Sequence, residues 1–335
     1  MSSPQVTPYT NPRQIPKNVM ALLRVHARNS NVILPILEKA EKGELLSGTH
    51  LWITHKASQS PNAFDFMLSI SEGYMGSYPA FIITTWPTQR LTRENLHEPI
   101  DALVRELARR VPLRRVYSIF APTAISVMFA ELWERHTLIK ALKSKPYYEA
   151  KLSFCTAQTL QLKLFNPDPD FIYKLRPAKV DDLAGVSSLC LEFAQGSDPF
   201  ILEQDGADEE AEYLISNGLV WVCEITNTNT GESDIPCIVA YTRNSKTVAT
   251  ITKVCTSTKW RGRKCAERLV AEVCRCFLSK ADSVALYVAH DNGAANKVYS
   301  NVGFVGLEPG SSPVTGVDDW VEIGFDRNSV DLGHW

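Results

Sequence analysis

The sequence contains few features typical of secreted or membrane proteins. No stretch approaches about 18 uninterrupted apolar residues, the length that a membrane-spanning helix requires. The first 18 residues contain four prolines and no apolar run of the signal-peptide kind. We therefore expect neither secretion nor membrane spanning, and we predict a soluble cytoplasmic protein.

Cysteine is absent from the first 154 residues, and all eight cysteines lie between Cys155 and Cys276. Several fall inside apolar strand or helix patterns, which is typical of buried free thiols and not of a disulfide framework. No paired Cys/His sets have the spacing of a zinc site. We therefore expect no metal and no disulfides.

Excess charge of either sign is also missing, since the formal net charge is -2 and the pI is about 6.4. This balance argues against a nucleic-acid footprint spread over the surface, and we expect no nucleic-acid partner. The 335 residues, 44% of them hydrophobic, can bury a substantial core. At about 100–200 residues per domain, this length indicates two domains.

The first half has an α/β pattern. Residues 1–18 are predicted to be a mobile arm because of their prolines and small polar residues. Residues 19–160 then predict two short helices, three β-rich runs, a helix near Glu94–Arg110, a strand and a helix. We expect one domain over this range.

A linker is predicted at residues 161–170, because Pro167 and Pro169 interrupt regular structure. A second domain is expected at residues 171–327. Its closing segments, Val305–Pro309 and the run WVEIGF, both have strand-like composition.

The most informative stretch lies between Val254 and Phe304. A strand ends near Val254, a turn follows at Trp260–Gly262, and a helix then carries apolar residues at three- and four-residue spacing. These apolar positions are Ala266, Leu269, Val270, Val273 and Phe277. Arg261, Arg263 and Lys264 crowd a helix N-terminus, whose free N–H groups attract anions. We therefore predict a phosphate site at this turn.

A buried strand, SVALYVAH, and another helix follow the turn. Asn292, Ala295 and Tyr299 are spaced so that they lie on one face of this helix.

The motifs R-x-x-K-x-A (Arg261–Ala266) and N-x-x-A-x-x-x-Y-x-x-x-G-F (Asn292–Phe304) resemble the cofactor-binding half of the GNAT acetyltransferase superfamily. The resemblance implies the α/β GNAT fold, a mixed, mostly antiparallel sheet flanked by helices. The element order of residues 19–160 favours a degenerate GNAT-like N-terminal half without a cofactor loop, or else an unrelated α/β domain. Lys264 departs from the superfamily pattern, which has glycine at this position.

The same resemblance implies acetyl-CoA as the cosubstrate. Its pyrophosphate would bind the backbone N–H groups of the turn, and its pantetheine amides would pair with the strand edge. The implied cofactor residues are Val254, Cys255, Thr256, Arg261, Gly262, Arg263, Lys264, Cys265, Ala266, Asn292, Ala295 and Tyr299. Lys264 either obstructs the phosphates or adds a cationic contact, and we expect its backbone to be helical. Asn292 is an N-cap, a cofactor contact or both.

For catalysis, the resemblance implies that Tyr299 protonates the departing thiolate. The alternative is a core tyrosine with a hydrogen-bonded hydroxyl. Glu224 and His290 are the candidate general bases, with Glu203 and Asp205 as further options. Each of these side chains has an ordinary alternative role as a solvated or hydrogen-bonded group.

The predicted reaction is acetyl transfer to a primary amine of a small molecule by direct attack. The acidic stretch Glu203–Glu212 either recognises a cationic amine or is a solvated helix start. Two other functions remain open. One is a non-catalytic acyl-CoA-binding or scaffolding protein, and the other is an acyltransferase that uses a longer acyl group or a hydroxyl acceptor.

Overall fold

The computed structural model describes residues 4–44, 48–73, 75–166, 168–308, 310 and 312–334. The chain divides into two compact units. Within the described residues, the first unit runs to Leu152 and resumes at Asp318, and the second unit is Ser153–Val317. The division therefore differs from the predicted ranges 19–160 and 171–327.

The first unit contains a large sheet, a separate two-stranded sheet and helices. Its strands are β1 (Gln5–Tyr9), β2 (Leu51–Lys56), β3 (Phe66–Ile70), β4 (Glu72–Gly73), β5 (Gly76–Ser77), β6 (Ala80–Thr84), β7 (Ser118–Pro122), β8 (Tyr148–Cys155) and β15 (Asp318–Gly324). Its helices are α1 (Lys17–Val25), α2 (Leu34–Glu41), α3 (Arg93–Arg110) and α4 (Thr123–Thr137). The strand order is β1-β2-β3-β6-β7-β15-β8, and only the β6–β7 pairing is parallel among these neighbours.

The prediction of a mobile arm is corrected for residues 5–9, because Gln5–Tyr9 forms a strand that pairs antiparallel with β2. Tyr9 lies opposite Trp52, which is fully buried. Pro8 is compatible with this strand because β1 lies at the edge of the described sheet, where a missing N–H costs little. Residues 1–3 of the predicted arm lie outside the described residues.

The second correction concerns the unit to which the last strand, β15, belongs. The predicted range 171–327 places it in the C-terminal domain, but it lies between β7 and β8 of the first unit. Trp320 is 1% exposed, and its ring centroid lies 5.1 Å from that of Phe120 on β7. Burial of this large ring explains why the end of the chain packs into the first unit.

The second unit contains the motif stretch. Its elements are β9 (Phe171–Pro177), α5 (Leu183–Gln195), α6 (Gln204–Ser216), β10 (Val220–Asn227), β11 (Ser233–Ala240), β12 (Val248–Ile251), β13 (Lys253–Thr256), α7 (Cys265–Phe277), β14 (Ser283–Ala289) and α8 (Gly293–Val302). Four strands form an antiparallel sheet in the order β13-β11-β10-β9, while β12 pairs parallel with β14. Residues 305–308, predicted as a strand, form no strand, and Pro309 lies outside the described residues.

Two apolar layers cover the faces of this antiparallel sheet. One layer includes Val222 and Ile238 and packs against α5 and α6, and the other includes Cys223 and Val239 and packs against α7. Alternate residues of β10 and β11 thus serve opposite layers, as the pleat requires.

All eight cysteines are free, and all except Cys276 are buried. Within the described ranges, no group of three or more His, Cys, Asp or Glu side chains could hold a metal ion. No helix in the described part of the chain is both long and apolar enough to cross a bilayer.

Candidate functional site

The site begins where one extended segment divides between two partners. Val248–Ile251 pairs parallel with β14, and Lys253–Thr256 pairs antiparallel with β11. Thr252 lies at the change of partner, where its N–H donates to the carbonyl of Ala240 at 2.9 Å. One side of β13 pairs with β11, and no described strand pairs with the other side. The peptide groups on that side can therefore accept a strand-like ligand.

A buried ion pair holds the start of β13. Lys253 Nζ lies 2.6 Å from Glu210 Oε1 on α6, and the two side chains are 10% and 13% exposed. Asp208 on the same helix accepts a hydrogen bond from Ser187 of α5. Parts of the acidic stretch Glu203–Glu212 are thus engaged in packing α6, whereas Glu203 and Asp205 are exposed.

The turn before α7 has an unusual backbone. Gly262 has φ of 82°, and Lys264, the N-cap of α7, has φ 59° and ψ 23°. The prediction of a helical Lys264 is therefore wrong, because its backbone is left-handed. This conformation favours glycine, and a side chain there costs about 1–2 kcal/mol. The lysine thus keeps the backbone shape that the glycine of the superfamily pattern would adopt.

The backbone of this turn presents a row of N–H donors that no other described residue accepts from. The six N–H groups of residues 262–267 donate to no other described residue. They lie at the N-terminus of a 13-residue helix, where the helix dipole favours anions. The adjacent open cleft has a volume of about 380 Å³ and is lined by Asn166, Asp168, Pro169, Tyr173, Gly262, Arg263, Lys264 and Arg268.

The three predicted basic residues have different surroundings. Arg261 Nη2 lies 3.2 Å from Glu192 Oε1, and its Nε donates to the carbonyl of Thr256 at 3.3 Å. The Arg263 guanidinium lies over the ring of Phe171, at 4.9 Å. Lys264 is exposed and has no ion pair or side-chain hydrogen bond among the described residues. Arg261 therefore ties the loop together, and Lys264 is available to a ligand.

Arg268 is a cleft residue that the sequence interpretation missed. It lies in the first turn of α7, four residues after the N-cap Lys264, and both side chains line the cleft. Its guanidinium carbon lies 4.0 Å from the ring centroid of Phe165 and 4.5 Å from that of Tyr173. The i, i+4 spacing was the available signal.

The predicted linker, residues 161–170, also contributes side chains to the cleft. Asp168 Oδ2 accepts a hydrogen bond from Tyr173 at 3.2 Å and lies 4.0 Å from Arg263 Nη1. This hydrogen bond and burial both raise the pKa of Tyr173, with burial as the larger cause. Pro167, on which the linker prediction partly rested, lies outside the described residues.

Two further predicted cofactor residues, Cys265 and Ala266, pack against the apolar core at the start of α7. Cys265 is 1% exposed, and a hydrogen bond with Cys223 is the main cause that lowers its pKa. Ala266 is half-buried and packs against the same apolar layer. These residues offer a ligand their backbone N–H groups, not their side chains.

The second motif forms α8 as predicted. Asn292 is its N-cap, and its side-chain oxygen accepts a hydrogen bond from the N–H of Ala295 at 3.0 Å. Ala295 is half-buried against the core. Tyr299 is 8% exposed, and its ring centroid lies 5.7 Å from that of Phe304. The N-cap role of Asn292 is therefore present.

The candidate bases differ in their engagement. Glu224 Oε2 lies 2.7 Å from Arg176 Nε, and the same guanidinium binds Asp182 at 2.6 Å. The Asp182 pKa is lowered chiefly by this hydrogen bond. His290 is exposed and follows the last residue of β14. Glu224 is thus part of an ion-pair network, while His290 lies at the end of the strand that diverges from β13.

Comparisons with known proteins agree with this geometry. The family model of FR47-like proteins matches residues 238–308, and no curated protein matches the sequence. A Drosophila protein of known structure is similar over 97% of this chain and 99% of its own, with a TM-score of 0.62 and 11% identity. A GCN5-related N-acetyltransferase from Sphaerobacter thermophilus matches over 98% of both chains, with a TM-score of 0.51 and 14% identity.

A tandem GNAT protein from the clavulanic acid biosynthesis pathway is similar over 96% of this chain and 98% of its own. Its TM-score is 0.51 and its identity 13%. The chain has the GNAT fold.

The GNAT fold also accounts for the first unit. There, β6, α3 and β7 repeat the arrangement of a strand, a helix and a parallel strand. The turn before this α3 contains no glycine, and the guanidinium of Arg90 covers the ring of Trp86 at 3.6 Å. The first GNAT-like half therefore lacks the glycine turn that precedes α7.

Proposed function

We propose that the protein is an N-acetyltransferase that moves an acetyl group from acetyl-CoA to a primary amine of a small molecule. The observation that carries this proposal is the left-handed Lys264 at the N-cap of α7. With this turn, although the motif glycine is replaced, the six N–H groups of residues 262–267 donate to no other described residue, which supports their use in binding an anion.

The cofactor would lie along the second unit. Its diphosphate accepts hydrogen bonds from the N–H groups of residues 262–267 and from Lys264, a charge-assisted donor. Its pantetheine amides pair with the open side of Val254–Thr256 in the manner of an added strand. This path brings the thioester toward the gap between β13 and β14, near α8.

In the proposed reaction, the neutral amine attacks the thioester carbonyl carbon and forms a tetrahedral intermediate. The C–S bond then breaks, and the thiolate takes a proton from the Tyr299 hydroxyl. His290 accepts the proton that the attacking nitrogen must lose. Glu224 has no role in this scheme, because its carboxylate binds Arg176.

Exposed carboxylates at the start of α6, Glu203 and Asp205, support a cationic acceptor. A second candidate function is a non-catalytic acyl-CoA-binding protein. It is favoured by the ion pair of Glu224 with Arg176, because this pair occupies one of the candidate general bases. Release of free thiol from acetyl-CoA in a screen of amine acceptors separates the two functions. Binding without thiol release for every amine would support the second.

The Tyr299→Phe variant tests the chemistry. Removal of the general acid should lower kcat by at least about 100-fold and leave the affinity for acetyl-CoA unchanged. Tyr241→Phe is the matched control. The Tyr241 hydroxyl lies outside the motif and donates to the carbonyl of Gly218 at 2.6 Å. An unchanged kcat in Tyr299→Phe would remove Tyr299 from this role.

A further inference from the structure

Arg268 is held as a flat, fixed donor at the wall of the cleft. Its guanidinium carbon lies over the ring of Phe165, 4.0 Å from the centroid, and over the ring of Tyr173, 4.5 Å from the centroid. Nε is enclosed and has no hydrogen-bond partner in the described part of the chain. Stacking of this kind fixes the plane of a guanidinium and so prepares it for an oxyanion.

The charge of Arg268 is also not neutralised. Two basic residues of the loop have carboxylate neighbours: Lys259 lies 3.3 Å from Asp234, and Arg261 lies 3.2 Å from Glu192. Arg268 forms no ion pair with any carboxylate of the described residues. A cation that is fixed, partly buried and unpaired is suited to an anionic ligand group.

Arg268 lies farther along α7 than the basic residues of the loop. Arg268 lies four residues beyond Lys264, or about 6 Å along the helix axis at 1.5 Å per residue. One phosphate group at the helix N-terminus leaves room for a second phosphate beside Arg268. Coenzyme A carries such a group, because its ribose places a 3′-phosphate apart from the diphosphate.

We infer that Arg268 determines cofactor specificity by binding the ribose 3′-phosphate of the acyl-CoA. The inference rests on the proposed function and adds a specificity residue outside the loop motif. Since Phe165 and Tyr173 orient the guanidinium, they support this contact through Arg268.

The test compares CoA with dephospho-CoA, which lacks only the 3′-phosphate, by calorimetric titration of the full chain. Wild type should bind CoA at least about tenfold more tightly, because a hydrogen bond to a charged group contributes about 1.5–3 kcal/mol. Arg268→Gln should reduce this ratio to near one and leave the affinity for dephospho-CoA unchanged. Arg268→Lys keeps the charge but loses the planar donor, and it should give an intermediate ratio.

Arg275→Gln is the control, because this exposed arginine of α7 pairs with Glu272. It should keep the wild-type ratio. Equal wild-type affinity for the two ligands would overturn the inference and leave the proposed function intact. An equal loss of both affinities in a folded Arg268→Gln would also overturn it. If wild type bound neither ligand, the proposed function would fail and this inference with it.

Discussion

Lys264 shows how one side chain can replace a motif glycine without loss of the turn. Its φ of 59° is the left-handed value that glycine adopts most easily, and its ammonium group has no partner among the described residues. The left-handed backbone destabilises the fold at this position, but it places a cation beside the six N–H groups of residues 262–267, where an anion would bind.

The Lys264→Gly variant should separate these two effects. We expect the free energy of unfolding to rise by about 0.5–1 kcal/mol, because relief of left-handed strain exceeds the entropy that glycine adds to the unfolded chain. Affinity for acetyl-CoA should fall several-fold through loss of a charge-assisted contact. Denaturant titration and calorimetry measure the two quantities.

Leu138→Gly is the matched control for this variant. Leu138 is the other described non-glycine residue with positive φ, at 61°, and its side chain is 89% exposed. It should become more stable with no change in acetyl-CoA affinity. Tighter binding by Lys264→Gly would show instead that the lysine obstructs the site.

For single residues, the sequence predicted which side chains form the site better than it predicted their backbone conformations. The basic cluster Arg261–Lys264 and the N-cap Asn292 could be identified from type and spacing. The φ angle of Lys264 could not, because a lysine at a helix start is usually compatible with helical angles. The binding of Arg261 to Glu192 depends on a side chain 69 residues away, which local patterns do not reveal.

The loop between β13 and α7 is held by an acid from another helix. Glu192 Oε1 on α5 accepts hydrogen bonds from Thr258 N at 3.0 Å, from Thr258 Oγ1 at 2.6 Å and from Arg261. A single carboxylate oxygen therefore fixes the segment that leads into the open N–H groups.

The Glu192→Ala variant should release this loop. We expect affinity for acetyl-CoA to fall about fivefold, equivalent to about 1 kcal/mol, because cofactor binding must then order the segment. The fold should persist, since water can reach the exposed Thr258 and Arg261. Glu209→Ala, an exposed residue of α6 without an ion pair among the described residues, is the control. Unchanged affinity in Glu192→Ala would show that the carboxylate does not position the loop.

Most helices and strands followed from periodicity, as α3, α7 and β14 illustrate. For two of the missed strands, the physical reason is clear. Gln5–Tyr9 looks like an arm because of its proline, and it is a strand only because β2 offers a partner. Tyr148–Cys155 mixes charged and apolar residues, and its pairing with β15 defines it. Strands form through partners that are distant in sequence.

The last strand of the chain belongs to the first unit. The first unit depends on β15, which lies between β7 and β8 and comes from the end of the sequence. Element order along the chain suggested two consecutive domains, since local patterns carry no information about which strands pair. The motifs placed the proposed cofactor site in the second unit, but they left the membership of β15 undetermined.

Trp320→Ala tests this arrangement. Loss of a fully buried ring should destabilise the protein by about 3–5 kcal/mol. Hydrogen exchange should show the loss of protection first in β7 and β8 of the first unit. If protection were lost first in α7 and retained in β7, the assignment of β15 to the first unit would be contradicted.

The most direct test of the account is amide hydrogen exchange in the full chain with and without saturating acetyl-CoA. The six amides of residues 262–267, which donate to no other described residue, should gain protection when the cofactor binds. The turn at Asn227–Glu232 should show no change and serves as the internal control. Unaltered exchange at residues 262–267 with about 1 mM acetyl-CoA, the upper end of usual KM values, would contradict the proposed cofactor site.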